Sequence, residues 1–323
     1  MAYRWWRGLA IATMSFVVLV MIGASGYVAW DILKPIDPPL NYIQAAASPW
    51  AHKTLPEPSR VRIESDGFES EGLYFSQENS ACAVIIHHGY TSHRYDSLRY
   101  APMFWRWGCH LLLPDSRGHG SARGAMVTWG YREREDLNRW IDFVMEKTGL
   151  SLKNIGLMGE SLGGAITIHT AARRPGLGFV ATDSSYSTLL NIFTHRGSLI
   201  YGEPLTASLL SLARPWVALV GGFDPKDLSP LHDMAAISAP IFLLHSIQDD
   251  FTPVEHGREL AAAISHDRKM VYFTDWQARH AQSIHMKPVE YGRFMEQFLE
   301  RYFPAGGHQK MGANIERAMT VKH

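Results

Sequence analysis

The run from Asn154 to Ala172 constrains the fold of this chain more than any other. Asn154 to Met158 is an apolar strand-like segment, Gly159-Glu160-Ser161-Leu162-Gly163-Gly164 is a turn, and Ala165 to Ala172 is helix-like. A strand that passes into a helix through so few residues must cross sharply, and a Cβ at 159 or 163 would crowd the neighbouring backbone. Ser161 is therefore expected on a strained turn with its hydroxyl exposed. A bare Gly-x-Ser-x-Gly also occurs as an ordinary glycine-rich turn, so the remainder of the chain has to decide what this one is.

Six short, nearly continuous apolar runs follow the pattern of parallel strands buried on both faces: Cys82 to His87, Cys109 to Pro114, Asn154 to Gly159, Phe179 to Asp183, Pro240 to His245 and Met270 to Thr274. Arg60 to Ser65 and Leu73 to Ser76, around Asp66-Gly67, suit an opening antiparallel hairpin. Helix-like segments (Tyr95 to Trp107, Tyr131 to Lys147, Leu162 to Arg173, Val254 to Ile264, Pro288 to Tyr302) separate the runs. Strand alternating with helix predicts an α/β fold, a mostly parallel sheet with helices on both faces. Ser184 to Leu231 is far longer than an ordinary connection, and its Leu-rich pieces predict a short helical lid.

Leu9 to Trp30 carries no charged residue and is apolar on every helical face. It is long enough to cross a bilayer. A cleaved signal peptide is the alternative, although its apolar core is normally about 7–15 residues. Arg4 and Arg7 precede the run and only Lys34 closely follows it, which places the N-terminus in the cytoplasm and the bulk of the chain outside. The expected organisation is an anchor over 1–30, a Pro-rich linker over 31–59, one catalytic domain over 60–304 with its lid at about 184–231, and a frayed tail over 305–323.

Lys plus Arg and Asp plus Glu are equal at 31 each among 323 residues, so no net field draws the chain to nucleic acid. No metal-ligand spacing appears, and neither metal nor cofactor is expected. Cys82 and Cys109, the only cysteines, open two of these runs, each five residues before the run's end, which sets them at similar height if the two runs pair. The strand spacing of about 4.8 Å is tighter than the most favoured disulfide separation, so two free, buried thiols are expected; an oxidising compartment would permit a bridge.

A serine hydroxyl becomes a nucleophile only beside a base that is itself oriented by an acid, with N–H donors awaiting the oxyanion. Each requirement has a candidate. Beyond the run ending at His245 comes Asp249, with Asp250 as the near alternative; either could instead cap the helix near Val254. Beyond the run ending at Thr274 comes His280 on a loop, with His285 as its competitor. The oxyanion donors are the backbone N–H groups of Leu162, which follows the serine, and Tyr90, which follows His88-Gly89 at the end of an apolar run. Gly89 makes a tight turn there, and His88 suits bracing the loop better than proton transfer.

With His88-Gly89-Tyr90, Asp115-Ser116-Arg117-Gly118-His119-Gly120-Ser121, the Ser161 motif, His245-Ser246-Ile247-Gln248-Asp249 and His280, the chain resembles the α/β-hydrolase superfamily over roughly 60–304. It looks most similar to bacterial membrane-anchored hydrolases of serine-aminopeptidase or lipase-like type. The resemblance implies an eight-stranded sheet and a triad of Ser161, His280 and Asp249, the acid weighted over Asp250 by the family spacing. Asp115 and His119 fall on a structural loop of the family rather than on catalytic positions. Two residues depart from the pattern: Glu160 stands where many relatives have His, and Ser246 where Gly is usual. The implied function is a serine hydrolase acting on a small-molecule or lipid-like acyl substrate, with ester favoured over peptide. A catalytically silent binding protein of the same fold is the reading from another class.

Overall fold

The computed structural model describes residues 2–36, 54–122 and 124–304. Most of the linker, 37–53, and the tail, 305–323, lie outside the described residues. The strands in chain order are β1 (Ser59–Ser65), β2 (Phe68–Phe75), β3 (Ala83–His87), β4 (His110–Pro114), β5 (Ile155–Glu160), β6 (Phe179–Asp183), β7 (Ile241–Ser246) and β8 (Lys269–Thr274). The helices are α1 (Ala2–Leu33), α2 (Ala101–Arg106), α3 (Glu133–Thr148), α4 (Leu162–Arg173), α5 (Leu189–Tyr201), α6 (Glu203–Gly221), α7 (Pro230–Met234), α8 (Val254–Ala263), α9 (Ser283–Met286) and α10 (Pro288–Tyr302). They fall into two compact units, 35–188 with 229–323 and 1–34 with 189–228.

The first unit is built on one eight-stranded sheet of order β1-β2-β4-β3-β5-β6-β7-β8. β1 and β2 are antiparallel to each other and β2 to β4; every later pairing is parallel. Asp66 and Gly67 close the opening hairpin with φ of 52° and 78°, the left-handed pair that a two-residue turn demands and that Asp-Gly supplies. β3, β5, β6 and β7 are buried along their whole lengths, which accounts for the apolar runs that open them; β8, at the edge, is only half-buried.

α10 buries Tyr291, Met295, Phe298 and Leu299, a stripe at helical spacing, and Phe298 meets the rings of Phe179 and Phe242 at 5.8 and 5.6 Å. The segment read as one helix from Tyr95 to Trp107 is instead a 3₁₀ turn, Asp96–Arg99, followed by α2. Pro102 is the cause, since its missing N–H fits only the first turn of a helix.

Cys82 and Cys109 form a disulfide, which corrects the expectation of free thiols. Their matching heights follow from the register Ala83↔His110, which sets the two cysteines side by side just before the ladder. The Cα separation of 4.7 Å lies within the range that disulfides adopt, although below its centre, so strand spacing did not forbid the bond.

In the second unit the long insertion folds as the expected helices, α5 and α6, and α6 packs along α1. From Met21 onward α1 turns one stripe, Ser25, Ala29 and Leu33, into this packing, while Arg4 to Val20 are exposed all round. The buried stripe of α6 is Thr206, Leu209, Ala213, Val217 and Gly221, of which Gly221 meets Leu33 of α1 and Thr206 meets Gly197 of α5. The insertion thus shares a compact unit with the N-terminal helix.

Candidate active site

Ser161 sits between β5 and α4 with φ 52° and ψ −115°, a strained backbone for a residue with a side chain. The reason is steric. A Cβ on Gly159 would lie 2.2 Å from the Gly163 carbonyl oxygen, and one on Gly163 would lie 2.3 Å from that of His87. Strand, turn and helix are therefore pressed together at glycines, and the serine between them is held out at the carboxyl edge of the sheet.

His280 reaches this edge from the loop after β8, and its Nε2 lies 2.9 Å from Ser161 Oγ. Its Nδ1 lies 2.9 Å from Oδ2 of Asp249, in the loop after β7. With Nδ1–H donating to the carboxylate, Nε2 is left to accept the Ser161 proton. Asp249 Oδ1 also accepts from the backbone N–H groups of Phe251 and Thr252, at 3.0 and 2.8 Å. Burial pushes the Asp249 carboxyl up, but the hydrogen bond and charge of His280, with Thr252 N–H and His245, outweigh it and hold the pKa below the ordinary carboxylate range.

The competitors go elsewhere. Asp250 pairs with Arg279 at 2.8 Å on the surface, and the His285 ring meets Arg99 at 3.5 Å.

Several contacts fix the His280 loop. Ser246, where a glycine was expected, donates from its hydroxyl to the Ala278 carbonyl at 2.6 Å, tying the end of β7 to the His280 loop. Ala281 N–H donates to Ser184 Oγ at 3.2 Å, and the Phe251 ring lies 4.9 Å from that of His280.

The loop after β3 lies against the serine, for a Cβ on Gly89 would come within 3.3 Å of Ser161 Cβ. Its next residue is Tyr90. Leu162 opens α4, so the helix ladder does not use its N–H. His88 Nδ1 donates to the Gly89 carbonyl at 2.8 Å and Nε2 accepts from Ser116 N–H at 2.9 Å, so the ring is a neutral brace between two loops. Burial, followed by the charges of His119 and His87, holds its pKa well below the imidazole range. Asp115 is likewise occupied, accepting from Arg94 N–H and Ser121 N–H at 2.8 Å each and pairing with the Arg94 guanidinium. Among the described residues no group of three His, Cys, Asp or Glu side chains is arranged to hold a metal ion.

A search of solved structures matches the Pyrococcus furiosus esterase Pf2001 with a TM-score of 0.61 at 23% identity, covering 76% of this chain and 93% of that one. The fold is the α/β-hydrolase fold. A second α/β hydrolase, the Pyrococcus horikoshii acylaminoacyl peptidase, matches with a TM-score of 0.61 at 20% identity over 83% of this chain but only 45% of the larger enzyme. The family model described as serine aminopeptidase, S33, matches residues 78–216. Among curated proteins, Bacillus subtilis YqkD is 28% identical over 239 residues, 72% of this chain and 76% of the relative.

Within this hydrolase fold, Glu160 beside the serine is ion-paired to Arg99, both largely buried. Sequence reading noted the unusual glutamate and missed its partner. The available signal was general: a carboxylate in a fully buried strand must meet a cation or several donors.

Proposed function

We propose that this chain is a serine hydrolase that cleaves a carboxylic ester through an acyl-enzyme. The observation that carries the reading is the continuous hydrogen-bonded line Ser161–His280–Asp249 on a strained turn. In this mechanism His280 Nε2 takes the hydroxyl proton as Ser161 Oγ attacks the acyl carbon, and Leu162 and Tyr90 N–H groups receive the oxyanion. The proton then passes from His280 to the departing alkoxide, leaving an ester on Ser161. Water, activated by the same imidazole, attacks that ester and releases the acid and the free serine. Asp249 stays ionised throughout, favouring the Nδ1–H tautomer and the imidazolium.

A panel of p-nitrophenyl esters of increasing chain length, run beside an aminoacyl p-nitroanilide, tests the reading. Ester turnover well above anilide turnover supports it. Turnover of the anilide alone would make the enzyme an aminopeptidase, in line with the family model matched at 78–216.

The proposed organisation is a membrane anchor at 1–30 and a hydrolase domain over 60–304 on the outer side of the membrane. α1 supports this by its length and apolar surface, Arg4 and Arg7 by their position before the apolar run, and the Cys82–Cys109 bond by the oxidising surroundings in which such bonds persist. Protease added to intact cells should reach the hydrolase domain; protection until lysis would reverse the orientation.

A further inference from the structure

Large apolar side chains that face solvent are unevenly distributed among the described residues. The unit that holds Ser161 exposes only Ile247, Phe273, Met286 and Val289, all under 50% accessible, whereas Leu199 and Ile200 at the end of α5 are 64% and 69% accessible. Leu205, Leu212, Trp216 and Leu219 continue this surface along one side of α6. Soluble monomers rarely expose so much contiguous apolar area.

The shape of this unit shows where the surface points. α5 and α6 form a hairpin whose base is closed by Leu189 N–H donating to the Leu228 carbonyl at 3.2 Å. Near its tip Gly197 packs on Thr206, where an added Cβ would fall 2.6 Å from Thr206 Cγ2. At the other end of α6, Gly221 packs on Leu33, where an added Cβ would lie 3.0 Å from Leu33 Cδ2. The covered stripe of α1 runs from Leu33 back to Met21 and no further, so α6 follows α1 with its Thr206 end beside Met21. The tip of the hairpin, Leu199 to Leu205, therefore reaches toward the fully exposed part of α1.

We infer that this tip enters the acyl region of the lipid leaflet at the Tyr27 end of α1, making the insertion a second point of contact with the bilayer. The inference rests on reading α1 as the anchor. If about 20 residues span the hydrocarbon at about 1.5 Å each, a span from Gly8 ends near Tyr27 and Met21 lies roughly 9 Å below that border. This is the depth to which interfacial apolar segments sink. Trp30 of α1 and Trp216 of α6 then fall near the headgroups, the level tryptophan favours. Glu203 is the one charge in the tip, and its carboxylate keeps the insertion shallow.

The full chain, with single cysteines introduced by I200C, V17C or K226C beside the intact disulfide, is labelled with an environment-sensitive nitrobenzoxadiazole. It is then reconstituted in phosphatidylethanolamine–phosphatidylglycerol vesicles with or without acyl-nitroxide lipid. We expect the labels at 200 and 17 to lose at least half their fluorescence to the nitroxide and to resist aqueous iodide, and the label at 226 to behave oppositely. Quenching at 17 but not at 200, with 200 open to iodide, overturns the insertion and leaves the anchor standing. No nitroxide quenching at 17 overturns the anchor itself. A label at 200 shielded from both quenchers identifies a second protein copy as the cover and overturns contact with lipid.

Discussion

The two units of this chain use charge in opposite ways. In the sheet-containing unit, several ionised groups are buried and partnered: Arg94 with Glu71 and Asp115, Arg99 with Glu160, Arg117 with Asp136, and the Asp249 carboxylate with the Nδ1–H of His280. In the helical unit the ion pairs Lys34–Asp31 and Arg214–Asp224 are partly exposed, and the apolar side chains face outward. Buried pairs add little net stability. Their contribution is geometry, because a charge stripped of water has few places to go, and the loops carrying His88, Ser161 and Asp249 are held by just such fixed partners. The helical unit has no comparable demand for a single geometry and relies on stripes of small and aliphatic residues.

That contrast is tested most severely at the serine. Ser161→Ala should lower ester turnover by about 10⁴–10⁶-fold with the fold intact, and His280→Ala should fall nearly as far. His285→Ala should keep most activity, and the reverse pattern would move the base. Asp249→Asn should follow with a loss of about 10⁴-fold, since the amide no longer favours the tautomer with a proton on Nδ1.

The next effect concerns stability. Reducing the disulfide, or making the Cys82→Ser/Cys109→Ser double variant, opens a loop of sequence separation 27 and should cost about 3–4 kcal/mol in urea unfolding. An unchanged unfolding midpoint would mean that the bond constrains little.

Acid should then weaken the same unit. Burial drives the pKa of both His87 and His119 down to about 4, so between pH 6.5 and 4 the unfolded chain binds protons that the folded one refuses. The stability contributed by these neutral rings is complete above about pH 6.5 and is lost as pH falls. By pH 5.5 the two together should remove about 2–3 kcal/mol. Flat stability over that interval, measured by urea titration, would contradict their burial as neutral imidazoles.

The smallest effect belongs to the helical unit. Leu219, 76% exposed on α6, should tolerate Leu219→Ser within about 0.5 kcal/mol in detergent, as surface positions do. A larger loss would show that this face is packed after all.

The sheet was legible in sequence because buried parallel strands leave little freedom of composition. β5 and β7 had to be free of polar side chains over their first four residues, and Gly159 and Gly163 had to lack side chains. The antiparallel turn at Asp66-Gly67 was equally plain. Long-range pairings were not legible. Nothing local distinguishes Arg99 from a surface arginine, and Ser246 looked like a missing glycine until its bond to the Ala278 carbonyl appeared. The disulfide was misjudged from an average spacing, although the register that produces it could be counted from the strand ends. The α1–α6 packing joins helices far apart in sequence through residues as ordinary as Ala29 and Ala213, and no pattern announces such a pair.

The central claim is that Ser161 is the nucleophile of an ester-cleaving site. Its most direct measurement is intact and peptide mass spectrometry of the full chain after reaction with a fluorophosphonate. One adduct, confined to the peptide containing Ser161 and absent in Ser161→Ala and His280→Ala, is the predicted result. An unmodified Ser161 peptide in active protein, or an adduct that survives Ser161→Ala, would contradict the account.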